Sequence, residues 1–417
     1  MKEHAGNRVL LLLENSYYPR DARVRREAES LAEAGYEVTV ICPALRAQPK
    51  REMLNGVRVW RYTPAPEARG LLGYGLEYGY ALAATLVLSI RLALRHGFDV
   101  LHAANPPDLF VLIAALYKPF GKRFIYDQHD LAPEMYQARF AGRSRPLVRA
   151  VLLRFERLSY LFADHVIVTN DSYRAIAMSR GRVSAERISI VRNGPDEKQL
   201  AYKAEPASEL YRPGKTGIAY LGLMGVQDGV KHLIQALHHL RRDLGRDDFW
   251  CLLLGCGEEQ GHLEEMVRQL DLGNHVKFAG FIPDPDYIPF VLAADICVDP
   301  DPSSEYNDRS TMVKIMDYMT FGKPLVAFDL PENRSSAGDA ALYVKPNDDL
   351  EFAKALARLM DRPDERFRMG IAGRRRIEAE LAWRYSARSM LSAYATVATH
   401  RARSAPQCAA PAEQDRC

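Results

Sequence analysis

Tryptophan occurs 3 times and cysteine 6 times in 417 residues, and neither is placed for the chemistry it often signals. There is no Cys-x-x-Cys pair, and no histidine stands at metal-ligand spacing from Cys42, Cys251, Cys256, Cys297, Cys408 or Cys417. This excludes a zinc module and a disulfide scaffold. Four of these cysteines sit in or beside apolar strands and read as reduced core residues. Long hydrophobic runs are also missing. Val9 to Leu13 is too short for a signal-peptide core, and Gly70 to Leu94 is broken by Glu77 and Arg91, so it is expected to be a buried helix. No Gly-x-Gly-x-x-Gly occurs: after Gly255-Cys256-Gly257 the third glycine falls at Gly261, and no acid ends the next strand, which excludes a nicotinamide site. Asp284-Pro285-Asp286 and Asp299-Pro300-Asp301 read as turns with no further ligand cluster, so no metal is expected. The basic residues lack interleaved aromatics, which excludes nucleic acid as a partner.

What is present is a globular chain, 47% hydrophobic and 26% charged, long enough for two or three domains. Its net charge of +3 conceals an asymmetry: residues 1–200 hold 29 Lys and Arg against 21 Asp and Glu, and the remainder 27 against 32. A basic first half suits an anionic partner. Short apolar runs alternate with helical patterns throughout, at Val9–Leu13, Val38–Cys42, Val100–Ala103, Phe124–Tyr126, Val166–Val168 and Ile188–Val191. After the polar stretch 202–215 they resume at Ile218–Leu221, Trp250–Leu254, Val276–Phe278, Ile296–Val298, Leu325–Phe328 and Leu342–Val344. This order predicts two doubly wound α/β domains with parallel sheets, at 1–201 and 216–380, joined by a linker at 202–215. A final helix over 381–400 is expected to pack back toward the first domain, and 401–417, rich in Ala, Pro and Gln, reads as a disordered tail.

The chain is organised around Ser303 to Arg334. A polar loop containing Asp308 and Arg309 leads to Ser310, which reads as the N-cap of a helix whose free N–H groups and dipole suit a phosphate. Lys314 and Asp317 lie at i,i+3 on one face of that helix. Gly322-Lys323-Pro324 then stops the helix and feeds an apolar strand, so the helix start is presented at a sheet edge. His129-Asp130 follows the strand Phe124–Tyr126 and is expected at the facing edge of the first domain. Arg139 to Arg157 carries six arginines against one acid, Glu156. Val148, Val151, Leu152, Phe155, Leu158 and Phe162 form an apolar stripe there. Two readings stay open: a helix docked on its own domain that offers Arg139, Arg143, Arg145, Arg149 and Arg157 to anionic lipid, or a solvated basic face.

Taken together, Asn307 to Arg334, His129-Asp130-Leu131-Ala132-Pro133-Glu134, Gly222 to Gly229, Val191-Arg192-Asn193-Gly194 and Leu254-Gly255-Cys256-Gly257 resemble the family-four retaining glycosyltransferases of bacterial surface polysaccharide synthesis. The resemblance runs in order from residue 8 to about 398. It implies the GT-B fold, with two Rossmann-like domains, an NDP-sugar donor held mainly by the second domain and an acceptor by the first. It further implies retention of configuration, no metal and no cofactor beyond the donor. Asp317 matches the second acid of the family's Glu-x7-Glu motif, which binds ribose hydroxyls. Ser310, Thr311 and Met312 match backbone donors to the diphosphate, His129 the histidine beside the donor sugar, and Phe281 and Ile282 the loop that reads the base. Gly225 falls in the matching glycine-containing loop.

The chain departs from that pattern in several places. Asp317 is one methylene shorter than Glu. Arg309 stands where the first acid belongs, leaving Asp308, one residue earlier, as the candidate catalytic acid. The Arg and Lys that follow the first strand of the second domain are replaced around Leu223-Met224 and Asp228, and the glycine pair after the first strand is absent. Lys314, Arg309, Arg20 and Arg23 are the cations nominated for the phosphate side. The expected activity is transfer of a sugar to a lipid-linked or glycan acceptor, in the cytoplasm, with a peripheral place on the inner face of the plasma membrane. An epimerase of the same architecture and a non-catalytic nucleotide-sugar binder are the alternatives.

Overall fold

The computed structural model describes residues 7–45, 47–65, 70–140, 144–210 and 212–404. Its first sheet is built from β1 Arg8–Leu12, β2 Glu37–Pro43, β3 Arg51–Leu54, β4 Val57–Tyr62, β5 Val100–Ala104, β6 Arg123–Gln128, β7 His165–Val168 and β8 Ile188–Ile190, in the order β3-β4-β2-β1-β5-β6-β7-β8. All pairs are parallel except β3 with β4. That hairpin escapes the run-by-run reading because charged residues interrupt it. Its signal is nevertheless in the sequence: Asn55-Gly56 both take positive φ, as a two-residue hairpin turn requires.

The second sheet comprises β9 Thr216–Leu221, β10 Phe249–Leu254, β11 Val276–Gly280, β12 Ile296–Asp299, β13 Leu325–Phe328 and β14 Ala341–Val344, ordered β11-β10-β9-β12-β13-β14. This doubly wound order puts the switch point between β9 and β12, where such sheets take ligands at the strands' carboxyl ends. Strand residues alternate between two cores. Leu10 and Leu12 face the helices Gly70–Arg95, Val111–Tyr117 and Pro146–Phe162, while Val9 and Leu11 face the helix Ala22–Glu33 and the C-terminal helix Trp383–Ser404. The stretch read as a tail is therefore helical to Ser404, and 405–417 lie outside the described residues.

Two glycine contacts explain motifs that the sequence left ambiguous. A Cβ at Gly255 would lie 1.8 Å from the Gly222 carbonyl oxygen, and one at Gly257 would lie 2.4 Å from that of Met224. Gly255-x-Gly257 therefore lets the loops after β9 and β10 pack backbone to backbone, a steric role that needs no bound dinucleotide. Three of the four described cysteines are buried, but Cys256 is exposed in this loop, contrary to its reading as a core residue.

The helix Gly70–Arg95 is not the buried element expected. It packs on the sheet through Ala81, Thr85, Ser89 and Leu92, yet Leu76 and Leu94 are 75% and 83% exposed. From Gly73 to Arg95 it is long and apolar enough, by length and composition, to cross a membrane. The helix Pro146–Phe162 also sits differently from the expected stripe: Glu156, Ser159 and Tyr160 are buried, while Val151 turns outward with Leu147 and Leu161. Arg154 and Arg157 share that outer face. Leu112, Leu116 and Phe120 are exposed on the neighbouring helix and the turn after it. One side of the first domain thus presents leucines and arginines together.

Trp383 and Tyr394 tie the C-terminal helix to the first domain: Trp383 Nε1 donates to Ser30 Oγ at 2.8 Å, and Tyr394 Oη lies 2.7 Å from His102 Nδ1. The crossing point is tight, since a Cβ at Gly194 would sit 1.7 Å from the Leu381 carbonyl oxygen. Gly194→Ala is expected to cost about 1–3 kcal/mol or more through overpacking. Limited proteolysis should then cut the C-terminal helix faster than in the parent chain, and equal rates would contradict the tight crossing.

Candidate functional site

The carboxyl ends of both sheets face one cleft of about 450 Å³. The first domain contributes His129 and Asp130 after β6, Thr169 and Tyr173 after β7, and Asn193 after β8. From the second come Gly222, Leu223 and Asp228 after β9, and the run Ser310 to Lys314 with Asp317. Of the sequence-nominated residues, His129, Ser310, Thr311, Met312, Lys314 and Asp317 therefore meet.

His129 is held from two sides. Its backbone N–H donates to Asn105 Oδ1 at 2.9 Å, and its Nδ1 lies 3.3 Å from Asp127 Oδ2. Burial alone would lower its pKa, but the Asp127 carboxylate outweighs that and raises it. Beside it, burial raises the Asp130 carboxyl, whose Oδ1 accepts from Tyr306 Oη of the second domain at 2.9 Å.

Ser310 does not cap the helix. The helix runs Val313–Thr320 with Met312 at its N-cap and no side-chain cap, because Asn307–Arg309 forms a separate 3-10 turn that Ser310 closes. Ser310 Oγ instead donates to the Tyr306 carbonyl at 2.8 Å and lies 3.0 Å from Tyr173 Oη. Asn170 Nδ2 donates to the Arg309 carbonyl and to Thr311 Oγ1, at 2.8 and 2.9 Å. The loop before the helix is thus held by side chains of the opposite domain. The helix start still faces the cleft, uncapped, in keeping with an anion site.

Lys314 and Asp317 do not pair with each other. Lys314 Nζ lies 2.5 Å from Asp301 Oδ1 and 3.2 Å from Asp299 Oδ1, so Asp299-Pro300-Asp301 is a buried cation clamp and no mere surface turn. Burial raises the Asp228 carboxyl nearby, which Lys314 partly counters. Asp317 Oδ1 accepts from Gln199 Nε2 at 2.7 Å, and burial pushes its carboxyl up to about 6.

Seven nominated residues do not line the cleft. Arg309 turns away to Glu305 Oε1, 3.2 Å distant, and Asp308 Oδ2 accepts from Ser303 Oγ at 3.1 Å; neither lines the cleft, because the 3-10 turn directs both back onto their own loop. Arg23 is buried beneath the cleft, bidentate to Asp127 at 2.6 and 2.8 Å, and does not line the cleft as Lys314 does. Arg20 lies over the Phe281 ring at 4.7 Å, bridging the two domains, with its guanidinium also bonded to Tyr17 Oη. Phe281 is half-exposed there, and neither it nor Ile282 lines the cleft. Gly225 donates its N–H to Asp228 Oδ2 at 2.9 Å and shapes the loop without facing the cleft itself.

The proposed lipid-facing arginines divide as well. Arg139 pairs with Glu258 of the second domain at 3.1 Å, Arg149 Nε donates to Gln137, and Arg145 and Arg157 are exposed. Arg143 lies outside the described residues. Asp127, Asn105, Asn170, Tyr173 and Tyr306 were missed as site-building residues. Asn105 and Asn170 had a signal, since each stands within two residues of the carboxyl end of an apolar strand.

Among the described residues one trio, Glu27, His102 and Asp127, brings three potential ligand atoms within 4.8 Å of one another. The Arg23 guanidinium already lies against both carboxylates, 3.2 Å from Glu27 Oε1 and 2.6 Å from Asp127 Oδ1, so a second cation there would be repelled.

Comparison with known proteins accounts for this geometry. Residues 21–194 match the glycosyl transferase 4-like domain, and residues 215–362 match the glycosyl transferases group 1. A 2-deoxystreptamine glucosyltransferase of Streptomyces kanamyceticus is 24% identical over 396 residues, 90% of this chain and 98% of its own. A Bacillus subtilis chain assigned to teichuronic acid biosynthesis as a glycosyltransferase is 25% identical, covering 81% of this chain and 84% of its own. Among solved structures, sucrose-phosphate synthase of Thermosynechococcus elongatus superposes with TM-score 0.79 at 21% identity, covering 94% of this chain and all (100%) of its own. Anabaena HepE in complex with UDP-glucose superposes at 0.67 and 17% identity, covering 95% and 99%. Nothing in these matches favours the epimerase alternative. With a family model matched on each side of the cleft, the chain belongs to the family-four glycosyltransferases and has their GT-B fold.

Proposed function

We propose that this glycosyltransferase moves a sugar from an NDP-sugar to a lipid-linked or glycan acceptor in surface polysaccharide synthesis, with retention of configuration and without a metal. The observation that carries this reading is the uncapped start of the Val313–Thr320 helix facing His129 across one cleft. The diphosphate binds at Ser310 to Met312 and the helix N-terminus, Asp317 takes the ribose hydroxyls, and His129 lies beside the sugar. The NDP donor is supported by the neighbour bound to UDP-glucose, and the polysaccharide role by the teichuronic acid relative.

The loss of the Arg and Lys after β9 has a local substitute. A Cβ on Gly222 would lie 3.3 Å from Lys314 Cε, so Lys314 brings an ammonium from the helix to the loop where the family carries those cations. Asp299 and Asp301 hold it in place and keep it charged. On leaving, the diphosphate gathers negative charge, which Lys314 and the helix dipole stabilise. A leaving-group oxygen on the same face as the acceptor hydroxyl takes its proton, which gives retention without a side-chain nucleophile.

The acceptor side is a peripheral membrane surface on the cytoplasmic face. Leu147, Val151 and Leu161 enter the interface while Arg145, Arg154 and Arg157 meet anionic headgroups, joined by the apolar faces of the two neighbouring helices. Each surface arginine contributes about 1 kcal/mol on anionic lipid. Co-sedimentation with phosphatidylglycerol-rich vesicles should therefore exceed that with phosphatidylcholine, and Arg154→Glu with Arg157→Glu should abolish most of the difference. Equal binding to both vesicle types rejects the membrane half of the proposal.

For the donor half, a thermal shift with UDP, GDP, ADP and their sugars, in EDTA, should select one base. Asp317 is neutral below its value of about 6 and then loses an acceptor for the ribose, so nucleotide affinity should rise between pH 5 and 7. Asp317→Ala should flatten that profile and weaken binding by about tenfold or more, as for a lost hydrogen bond to a charged group. His129→Ala should spare binding and reduce turnover. A shift that appears only with magnesium would overturn metal independence.

A further inference from the structure

Below His129, on the side away from the cleft, lies a polar cluster that the transfer reaction as described does not use. Arg23 of the first helix is fixed by four hydrogen bonds, two to Asp127 and one each to the Val191 carbonyl and Asn193 Oδ1. Asp127 Oδ1 is taken by Arg23 alone, whereas Oδ2 accepts from Arg23 Nε at 2.8 Å and faces His129 Nδ1 at 3.3 Å. One turn along the helix from Arg23, Glu27 is fully buried, and its Oε2 lies 3.6 Å from His102 Nε2 on β5. Among the described residues neither oxygen of Glu27 nor His102 Nε2 makes a hydrogen bond, although Oε1 lies 3.2 Å from the Arg23 guanidinium and Nε2 lies 3.8 Å from Asp127 Oδ2. The other nitrogen of His102 is held by Tyr394 of the C-terminal helix at 2.7 Å.

Two carboxylates against one guanidinium leave one surplus negative charge in a dry core, which is costly. Burial, with Asp127 adding to it, pushes Glu27 up to about 7, so around neutral pH Glu27 takes up a proton and relieves the surplus in part.

We propose that Asp127 is the positioning residue for His129. Clamped by Arg23, its Oδ2 accepts from Nδ1–H and turns Nε2 to the cleft as the free acceptor, while Glu27, facing His102, holds the balancing proton beneath. His129 then meets the donor sugar in one tautomer and one orientation, as a second carboxylate often imposes on a working histidine. The charges around it come from several elements: Arg23 and Glu27 on the first helix, His102 on β5, Asp127 on β6 and Asp130 on its own loop. Across the cleft stand Tyr306, Asp228, Lys314 and Asp317.

The functional meaning rests on His129 lying at the transferred sugar, but the test needs neither sugar nor nucleotide, so its outcome is separate from that of the transfer assay. In the full chain labelled with ¹⁵N- and ¹³C-histidine, His129 is assigned by the signals lost in His129→Gln. Its neutral ring should be the Nδ1–H tautomer, and Asp127→Asn should lower its pKa by about one to two units, a tenfold to hundredfold loss of proton affinity. An Nε2–H tautomer in the parent chain, or an unmoved pKa in Asp127→Asn, overturns the proposal. If Asp127→Asn leaves Arg23 unpaired and does not fold, the parent tautomer still decides. Glu27→Gln keeps the Arg23–Asp127 clamp and provides the second test. The His129 titration, broadened in the parent by Glu27 ionising alongside, should sharpen to a single-site curve. An unchanged breadth overturns the proton-holding role, as does one equivalent of bound metal in the purified protein.

Discussion

Asn170 does two jobs with one side chain. Its carbonyl oxygen accepts from the Tyr173 N–H and caps the helix Asp171–Ser179, while its amide donates to the Arg309 carbonyl and Thr311 Oγ1 of the other domain. The loop that carries Ser310 and Met312 into the cleft therefore takes its shape from a residue on the first domain. Tyr173 with Ser310, Ser172 with Glu332, and Asp130 with Tyr306 extend the same seam. Such contacts between polar groups are individually worth about 0.5–1.5 kcal/mol, enough together to bias domain closure and too little to lock it.

Charge in the cleft is arranged by scarcity. Lys314 is the only Lys or Arg among the described residues lining it, against Asp130, Asp228 and Asp317. Burial raises all three of those carboxyls, so the local field is less negative than the residue count suggests. The two aspartates that clamp Lys314 serve orientation: they stop a flexible ammonium from wandering and aim it at the loop after β9. In the first domain Arg23 and Asp127 pair beneath His129, so Lys314 and His129, which face one cleft, each rest on a buried ion pair on their own side.

Much of this was legible in the sequence. The apolar runs located every strand of the second sheet and all but β3 and β4 of the first, because strands covered on both faces must be continuously apolar. His129 and the segment from Ser310 to Asp317 could be placed at the cleft because both lie where the chain passes from the carboxyl end of a strand into the next helix, where α/β folds open their clefts. Rotational detail was not legible. Arg23 and Arg20 are separated by three positions on the chain, yet one is sealed against Asp127 and the other stacks on Phe281. Asp308 and Arg309 fell in a 3-10 turn whose three-residue period sends side chains where an α-helical start would not. Burial of Glu27 and His102 depends on Tyr394, nearly 300 residues further along the chain than His102, and no local pattern reports such a partner.

The C-terminal helix also sets an order of events. Met390, Tyr394 and Val397 fill the same core as Val9, Leu11 and Val40 on the first strands. During synthesis the second domain can be complete before the first one is, because the first lacks part of its core until its last helix has left the ribosome. A nascent chain stopped in the linker at 202–215 would expose that apolar floor and the buried His102, which makes the opening half of this enzyme, rather than its closing half, the natural client of a chaperone.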